Sequence, residues 1–227
     1  MLKQHIDTNV SVLTRSALPQ AQGASEHTLA AAFEMLGAPM QYKRNTEIYG
    51  EGEIAEYFYQ VVTGAVRIYK VLEDGRRQIG AFLQPGDVFG LEAGEEHTFS
   101  AESIVDCTIR VAKRSGIAAM AARDSDVAAD LLASTAKSLR GAQEHMLLLG
   151  RKTAEERVAS FLLKMAGVAE RIIELPMSRQ DIADYLGLTI ETVSRTFTHL
   201  ENAATIELPS SRRVLVRNRG SLQRLNA

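Results

Sequence analysis

The sequence predicts an α+β protein: an N-terminal antiparallel β-roll, then one long helix, then a C-terminal winged helix-turn-helix. Three observations carry this. Strand-like runs punctuated by turn residues fill the stretch from Gln41 to about Val111. An apolar seam with helical spacing runs from Leu132 to Leu149. Met177 to Leu200 reads as two short helices joined at Gly187, and a short hairpin follows.

Residues 1–25 show no sustained periodicity and are expected to form a flexible N-terminal arm. Residues 26–40 look helical. Tyr57 to Val62 and Ala65 to Val71 then read as strands, with Gly64, Asp74-Gly75, Pro85-Gly86-Asp87 and Gly90 as breaks, which suggests a small antiparallel barrel or jelly roll. From about Asp124, the residues Leu132, Thr135, Leu139, Ala142, Met146 and Leu149 recur at intervals of 3, 4, 3, 4 and 3. A second helix can cover such a seam, and so can the barrel of the same chain; a module that reads DNA tilts the choice towards a dimer, because two-fold dimers read two half-sites about 34 Å apart. The expected units are the arm at 1–25, the β-roll at 26–123, the dimerisation helix at 124–149 and the DNA-binding domain at 150–227.

Within the last unit, Ser178 followed by Asp181 resembles a capping box with Asp in place of the usual Glu or Gln, and starts a helix. Ile182 and Leu186 lie four apart on its buried face, Gly187 supplies a tight exit, and Thr189 caps the next helix. At roughly 100° per residue, Val193, Thr196, Phe197 and Leu200 share one side of that helix, and Glu191, Ser194, Arg195 and Thr198 share the other. The first set packs. The second carries the groups of major-groove readout: Arg pairs with guanine O6 and N7, Glu accepts from the cytosine amino group, and Ser bonds several edges. An isolated helix of this kind is more often a solvated face with an intrahelical ion pair, so the surroundings decide. Thr205 to Leu208 and Val214 to Val216 are apolar runs joined by Pro209-Ser210-Ser211-Arg212-Arg213, the pattern of a wing with a basic tip.

Charge agrees with a local patch. Residues 150–227 hold 12 Lys or Arg against 9 Asp or Glu, whereas residues 1–149 hold 14 against 19, and the formal net charge of the chain is -2. Indiscriminate nucleic-acid binding is a poor reading of such a chain; a patch whose affinity falls with salt is a better one. No apolar run approaches the roughly 20 residues that span a bilayer, so no membrane association and a cytoplasmic location are expected. The single cysteine, Cys107, excludes an intramolecular disulfide and cannot alone hold an iron-sulfur cluster; it is read as a small buried strand residue.

Barrel, long helix and winged helix in this order resemble the cyclic-AMP receptor protein and FNR superfamily of transcription regulators, over almost the whole chain. Leu149 to Ala159 looks like the junction between dimer helix and DNA-binding domain in the FNR branch, and Leu188 to Arg195 looks most like the FixK type. The resemblance implies a homodimeric regulator, most readily an activator of low-oxygen genes, that binds a palindrome with TTG-type half-sites and works with RNA polymerase. It assigns base contacts to Glu191, Ser194 and Arg195, with Ile190 standing where the cyclic-AMP receptor has an arginine and suited to a thymine methyl. It assigns phosphate contacts to Arg179, Gln180, Thr189 and Thr192, with Arg212 and Arg213 adding to them from the wing.

The departures bear on regulation. A cyclic-nucleotide site of this family needs a carboxylate and an arginine where this chain has Leu91 and His97-Thr98, so no cyclic nucleotide and no other cofactor is expected. FNR senses oxygen through a four-cysteine cluster, which one cysteine cannot reproduce. Haem would need an axial ligand, and His5, His27, His97, His145 and His199 stand in no recognisable pair; each is read as a surface or locally bonded residue. Glu95-Glu96-His97 is only a fragment of a cupin-type metal set, so no metal site and no enzyme activity are expected. Ser178 occupies a position where FixK relatives can carry cysteine, which makes it a possible redox position that here holds a hydroxyl. The alternative is the same architecture gated by a small ligand in the β-roll.

Overall fold

The computed structural model describes residues 28–166 and 171–226. The expected arm at 1–25, with His5, and also His27, lies outside the described residues. In chain order the elements are α1 (Leu29–Leu36), β1 (Ala38–Tyr42), β2 (Glu47–Tyr49), β3 (Tyr57–Thr63), β4 (Val66–Val71), β5 (Arg77–Leu83), β6 (Val88–Phe89), β7 (Ser100–Ser103), β8 (Cys107–Lys113) and α2 (Arg114–Ala121). Then follow α3 (Ser125–Arg151), α4 (Ala154–Met165), β9 (Ile172–Glu174), α5 (Arg179–Leu186), α6 (Ile190–Asn202), β10 (Ile206–Ser210), β11 (Arg213–Val216) and α7 (Arg219–Asn226).

The β-roll is two antiparallel four-stranded sheets, ordered β1-β8-β3-β6 and β2-β7-β4-β5. Between them Tyr49, Tyr59, Val61, Val66, Phe89, Ala101, Cys107 and Ile109 form the core. Cys107 is the small buried strand residue expected: its thiol faces the carbonyls of Ala65 and Val105, and burial pushes its pKa up. Gly64 turns β3 into β4 at φ 90°, where an added Cβ would meet Asp106 O and Cys107 Sγ at 2.6 Å. Only glycine fits both demands.

The helix expected over residues 26–40 is shorter. Thr28 caps α1, and the Gly37 N–H closes it onto Phe33 O. Ala38–Tyr42 then pairs with Val111–Cys107. Pro39 is compatible with this strand because β1 lies at a sheet edge, where a missing N–H costs little.

Asp124 caps α3 by accepting from Asp126 N and Val127 N, and the helix runs two residues past its expected end at Leu149. One side of α3 is tied down: Val127 packs with Leu29, Phe33 and Ile117, and His145 and Leu148 are buried farther along. The other side is bare. Leu132, Leu139 and Met146 are 71%, 60% and 66% exposed, Leu147 is 60% exposed, and Thr135 and Ala142 are exposed with them. Leu149 differs from the rest of the seam, being half-buried against the core of the following domain.

That core also reaches back into the roll. Ala65, Ile79 and Ile104 belong to one apolar cluster with Phe161, Leu162, Tyr185, Leu186 and Phe197. Phe82 of β5 meets Phe161 edge-on at 6.3 Å and Tyr185 at 5.2 Å between ring centroids. The C-terminal domain is therefore packed on the β4–β5 face of its own chain.

Candidate nucleic-acid interface

The helix pair is built from local chemistry. Ser178 Oγ accepts from Asp181 N, and the Asp181 carboxylate accepts from Ser178 N and Ser178 Oγ, at 3.1, 2.9 and 2.7 Å. The shorter Asp therefore closes the capping box and places a negative charge at the positive end of α5. Gly187 ends α5 with φ 60° and ψ 42°. Leu149 Cδ2 would lie 3.3 Å from a Cβ at that position, so close approach of α3 reinforces the conformational demand. Thr189 then caps α6 by accepting from Thr192 N at 3.2 Å.

On α6, Val193, Phe197 and Leu200 are buried, with Thr196 half-buried beside them. Glu191, Ser194, Arg195 and Thr198 face outwards, and Ile190 is exposed at the N-terminal end. Arg195 enters no hydrogen bond or ion pair among the described residues, which leaves its five donors available. The Glu191 carboxyl is held below its usual range by its own backbone N–H and by the Thr189 hydroxyl, with Arg195 adding to the effect. It is thus an ionised acceptor at neutral pH. Ser194 spends its hydroxyl proton on Ile190 O at 2.8 Å and retains acceptor capacity.

The residues expected at phosphates are less uniform. Gln180 is exposed but bonds Asp184 Oδ1 at 2.7 Å, and the hydroxyls of Thr189 and Thr192 lie 3.1 Å apart. Arg179 does not project as expected: its guanidinium stacks 3.6 Å from the Phe197 ring centroid, burial lowers its pKa, and its Nη1 is buried without an acceptor. Cation–π packing between the two helices holds it there. In the wing, β10 and β11 extend farther than the apolar runs, so the tip contracts to Ser211-Arg212. Pro209 falls between the paired residues Glu207 and Ser210, where the register shifts. Arg212 donates to Pro176 O at 2.6 Å, and Arg213 bonds Glu174 through Nε at 2.6 Å.

Sequence reasoning missed the residues that hold this interface. Arg157 of α4 donates through Nη1 to Leu186 O, through Nη2 to Leu149 O and through Nε to Lys152 O, at 2.9, 2.8 and 2.8 Å. One planar fork thereby satisfies carbonyls at the ends of α3 and α5. His145 of α3, expected at the surface or bonded locally, is instead buried: it stacks on Tyr185, 40 residues away, at 4.2 Å and bonds Tyr185 O at 2.7 Å, and burial lowers its pKa. From the roll, Arg67 and Arg77 both reach Asp181 Oδ1, at 2.9 and 2.7 Å. Arg77 also bonds Asp184, and Gln78 bonds Asp184 O. These contacts join residues about a hundred positions apart, and no local spacing signals them.

His97 departs from its expected place. It is 2% exposed, stacks on Tyr49 at 3.6 Å, and both ring nitrogens lack hydrogen-bond partners. Glu92 Oε2 stands 3.4 Å from it and 3.5 Å from Arg114 Nη2. His199, by contrast, is on the surface near Glu155.

Two family models match: the cyclic nucleotide-binding domain over residues 39–124 and the Crp-like helix-turn-helix domain over residues 156–225. The nitrogen fixation regulation protein FixK of Azorhizobium caulinodans is 55% identical over 199 residues, covering 85% of this chain and 80% of that protein. The chain belongs to the FixK-type branch of the CRP/FNR family. A FixK of Rhizobium meliloti is 45% identical over 76% of this chain and 80% of its own length. Among solved structures, FixK2 from Bradyrhizobium japonicum matches with a TM-score of 0.81 at 54% identity, covering 85% of this chain and 98% of that one. Membership makes the chain a DNA-binding transcription regulator with a Crp-like helix-turn-helix, and α5 and α6 lie within that matched segment. No helix among the described residues is long and apolar enough to cross a membrane.

Proposed function

We propose that this FixK-type regulator is a cytoplasmic homodimer that activates transcription of low-oxygen genes with RNA polymerase, binding a palindrome of TTG-type half-sites without a bound small molecule. The observation that carries the reading is the solvent face of α6, where Arg195 stands without a hydrogen-bond partner among the described residues beside the ionised Glu191, with Ser194 and Ile190 next to them. In this reading Arg195 takes the guanine of the half-site, Glu191 a cytosine amino group, Ser194 a further edge, and Ile190 a thymine methyl. Gln180, Thr189 and Thr192 set register on phosphates, Arg212 and Arg213 do so from the wing after exchanging their present partners, and Arg179 stiffens the helix pair. The bare side of α3 supports the dimer: Leu132, Leu139 and Met146, flanked by Thr135 and Ala142, would meet their counterparts across a two-fold axis.

Selection of bound DNA from a random pool tests the reading. Enrichment of a two-fold palindrome with TTG-type half-sites by purified protein without additives is expected; enrichment of an asymmetric site, or of nothing, overturns it. A second reading, gating by a ligand in the roll, is favoured by the unpaired nitrogens of buried His97 beside Glu92 and Arg114. Strong stimulation of DNA binding by cell extract would select it.

A further inference from the structure

Between the roll and the DNA-reading domain lies a cleft of about 230 Å³ whose lining includes Arg44, Arg67, Arg77 and Arg212 but only one acidic residue, Asp181. Its volume is several times the roughly 30 Å³ share of one water, which is room for a tetrahedral oxyanion. Arg67 is the decisive residue. It is only 8% exposed, it lines the cleft, and its Nε is buried with no acceptor although Nη1 and Nη2 serve Asp181 and Glu102. A buried guanidinium N–H without a partner costs free energy, so Arg67 keeps an unused donor in a residue that lines the cleft. Arg44, at the turn between β1 and β2, has a side chain that makes no hydrogen bond or ion pair among the described residues. Arg212 uses one nitrogen on Pro176 O and keeps the rest. Ser178 and Gln180, at the positive end of α5, open on the same space.

We propose that this cleft is a phosphate-binding site, in which Arg44, Arg67, Arg77 and Arg212 hold either a free phosphate-bearing anion or a backbone phosphate of DNA beyond the half-site. Guanidinium forks suit phosphate oxygens in either source. The occupant would share Arg67 with Asp181 and Glu102, and Arg77 with Asp181 and Asp184, so the anion would meet α5 on the two guanidiniums that tie this helix to the roll.

Two arms test this on the full chain. In the first, thermal unfolding is followed against inorganic phosphate at constant ionic strength, with chloride as control. A saturable rise of about 2 °C is expected, and Arg44→Ala should need at least about fivefold more phosphate for the same rise. Arg44 is exposed, so this variant keeps the fold; Arg67→Lys provides a second one, with the same direction expected. In the second arm, affinity is measured for one site with and without flanking base pairs. Where the backbone supplies the group, trimming the flanks weakens the natural chain but not Arg44→Ala, and inorganic phosphate competes with DNA beyond the chloride control. Where a free anion supplies it, phosphate saturates and trimming changes nothing. A natural chain with neither a saturable phosphate response nor flank dependence overturns the proposal, as does an Arg44→Ala chain identical to it in both arms. The second arm rests on the DNA reading proposed above and the first does not, so a failure of that reading leaves the phosphate response to be judged alone.

Discussion

Arg67 of β4 donates through Nη1 to Asp181 Oδ1 of α5 at 2.9 Å, buried and 114 residues away in sequence. The same carboxylate closes the cap of α5, so one group both starts the helix and fastens it to the roll. Burial pushes the Asp181 carboxyl up, but the Ser178 hydroxyl and backbone N–H, helped by Arg67 and Arg77, carry it below its ordinary value of 3.8. A depressed folded pKa gives stability that is complete above the unfolded value and is lost as pH falls through the folded one. Denaturant unfolding should therefore show this contribution intact from about pH 5 to 7 and declining below about pH 4. Asp181→Asn should lower stability by about 2 kcal/mol at neutral pH, by taking from Arg67 and Arg77 the carboxylate they share and leaving each with one, Glu102 and Asp184, and should flatten that part of the acid decline. An unchanged acid profile would show that the carboxylate is not the anchor.

If Arg195 takes the guanine of the half-site as proposed, Arg195→Ala should cost about 1 to 3 kcal/mol on the cognate site and relax preference at that base. Arg212→Ala should instead weaken all sequences alike, and by less than a free wing arginine would, because one nitrogen of Arg212 is already engaged by Pro176 O. Competition binding with cognate and random DNA separates the two. An unchanged cognate-to-random ratio in Arg195→Ala would move the reading face elsewhere.

The sequence shows what local chemistry writes into it. The capping pair Ser178-Asp181, the left-handed exit at Gly187 and the two sides of α6 each follow from spacing of a few residues, and the structure has them. The end of α1 at Gly37 was hidden because Ala38–Tyr42 becomes a strand only through its pairing with β8. Arg67, Arg77, Gln78 and His145 stay hidden for the same reason, since their roles exist only where distant segments meet, and Arg157 shows its role only once Leu186 O meets the nearby carbonyls of Leu149 and Lys152. Arg179 shows the limit within the site itself, since a position on a helix start does not reveal that Phe197 offers its ring to the guanidinium.

Leu139→Asp combined with Met146→Asp should give monomers in sedimentation with the fold retained, because both side chains are exposed in the single chain. Two charges facing two more across a seam lose both burial and hydration. Affinity for a two-half-site probe should then fall far more than affinity for one half-site. A persistent dimer would place the interface on another surface.

Ser178 caps α5 and opens on the arginine-lined cleft. A thiol in its place would sit at a helix N-terminus near Arg44, Arg67, Arg77 and Arg212, which favour thiolate and hence oxidation, and against the Asp181 carboxylate, which opposes it. Cys107 is the opposite case, buried with its pKa raised, and is expected to be inert. DNA affinity of the natural chain should therefore survive mild peroxide, whereas Ser178→Cys should lose at least about tenfold by gaining a bulkier, more polar group at the start of α5. A reductant should restore the variant while its oxidation stays at the sulfenic or disulfide stage. Equal loss in both proteins would assign the sensitivity to another group and leave Ser178 as a cap alone.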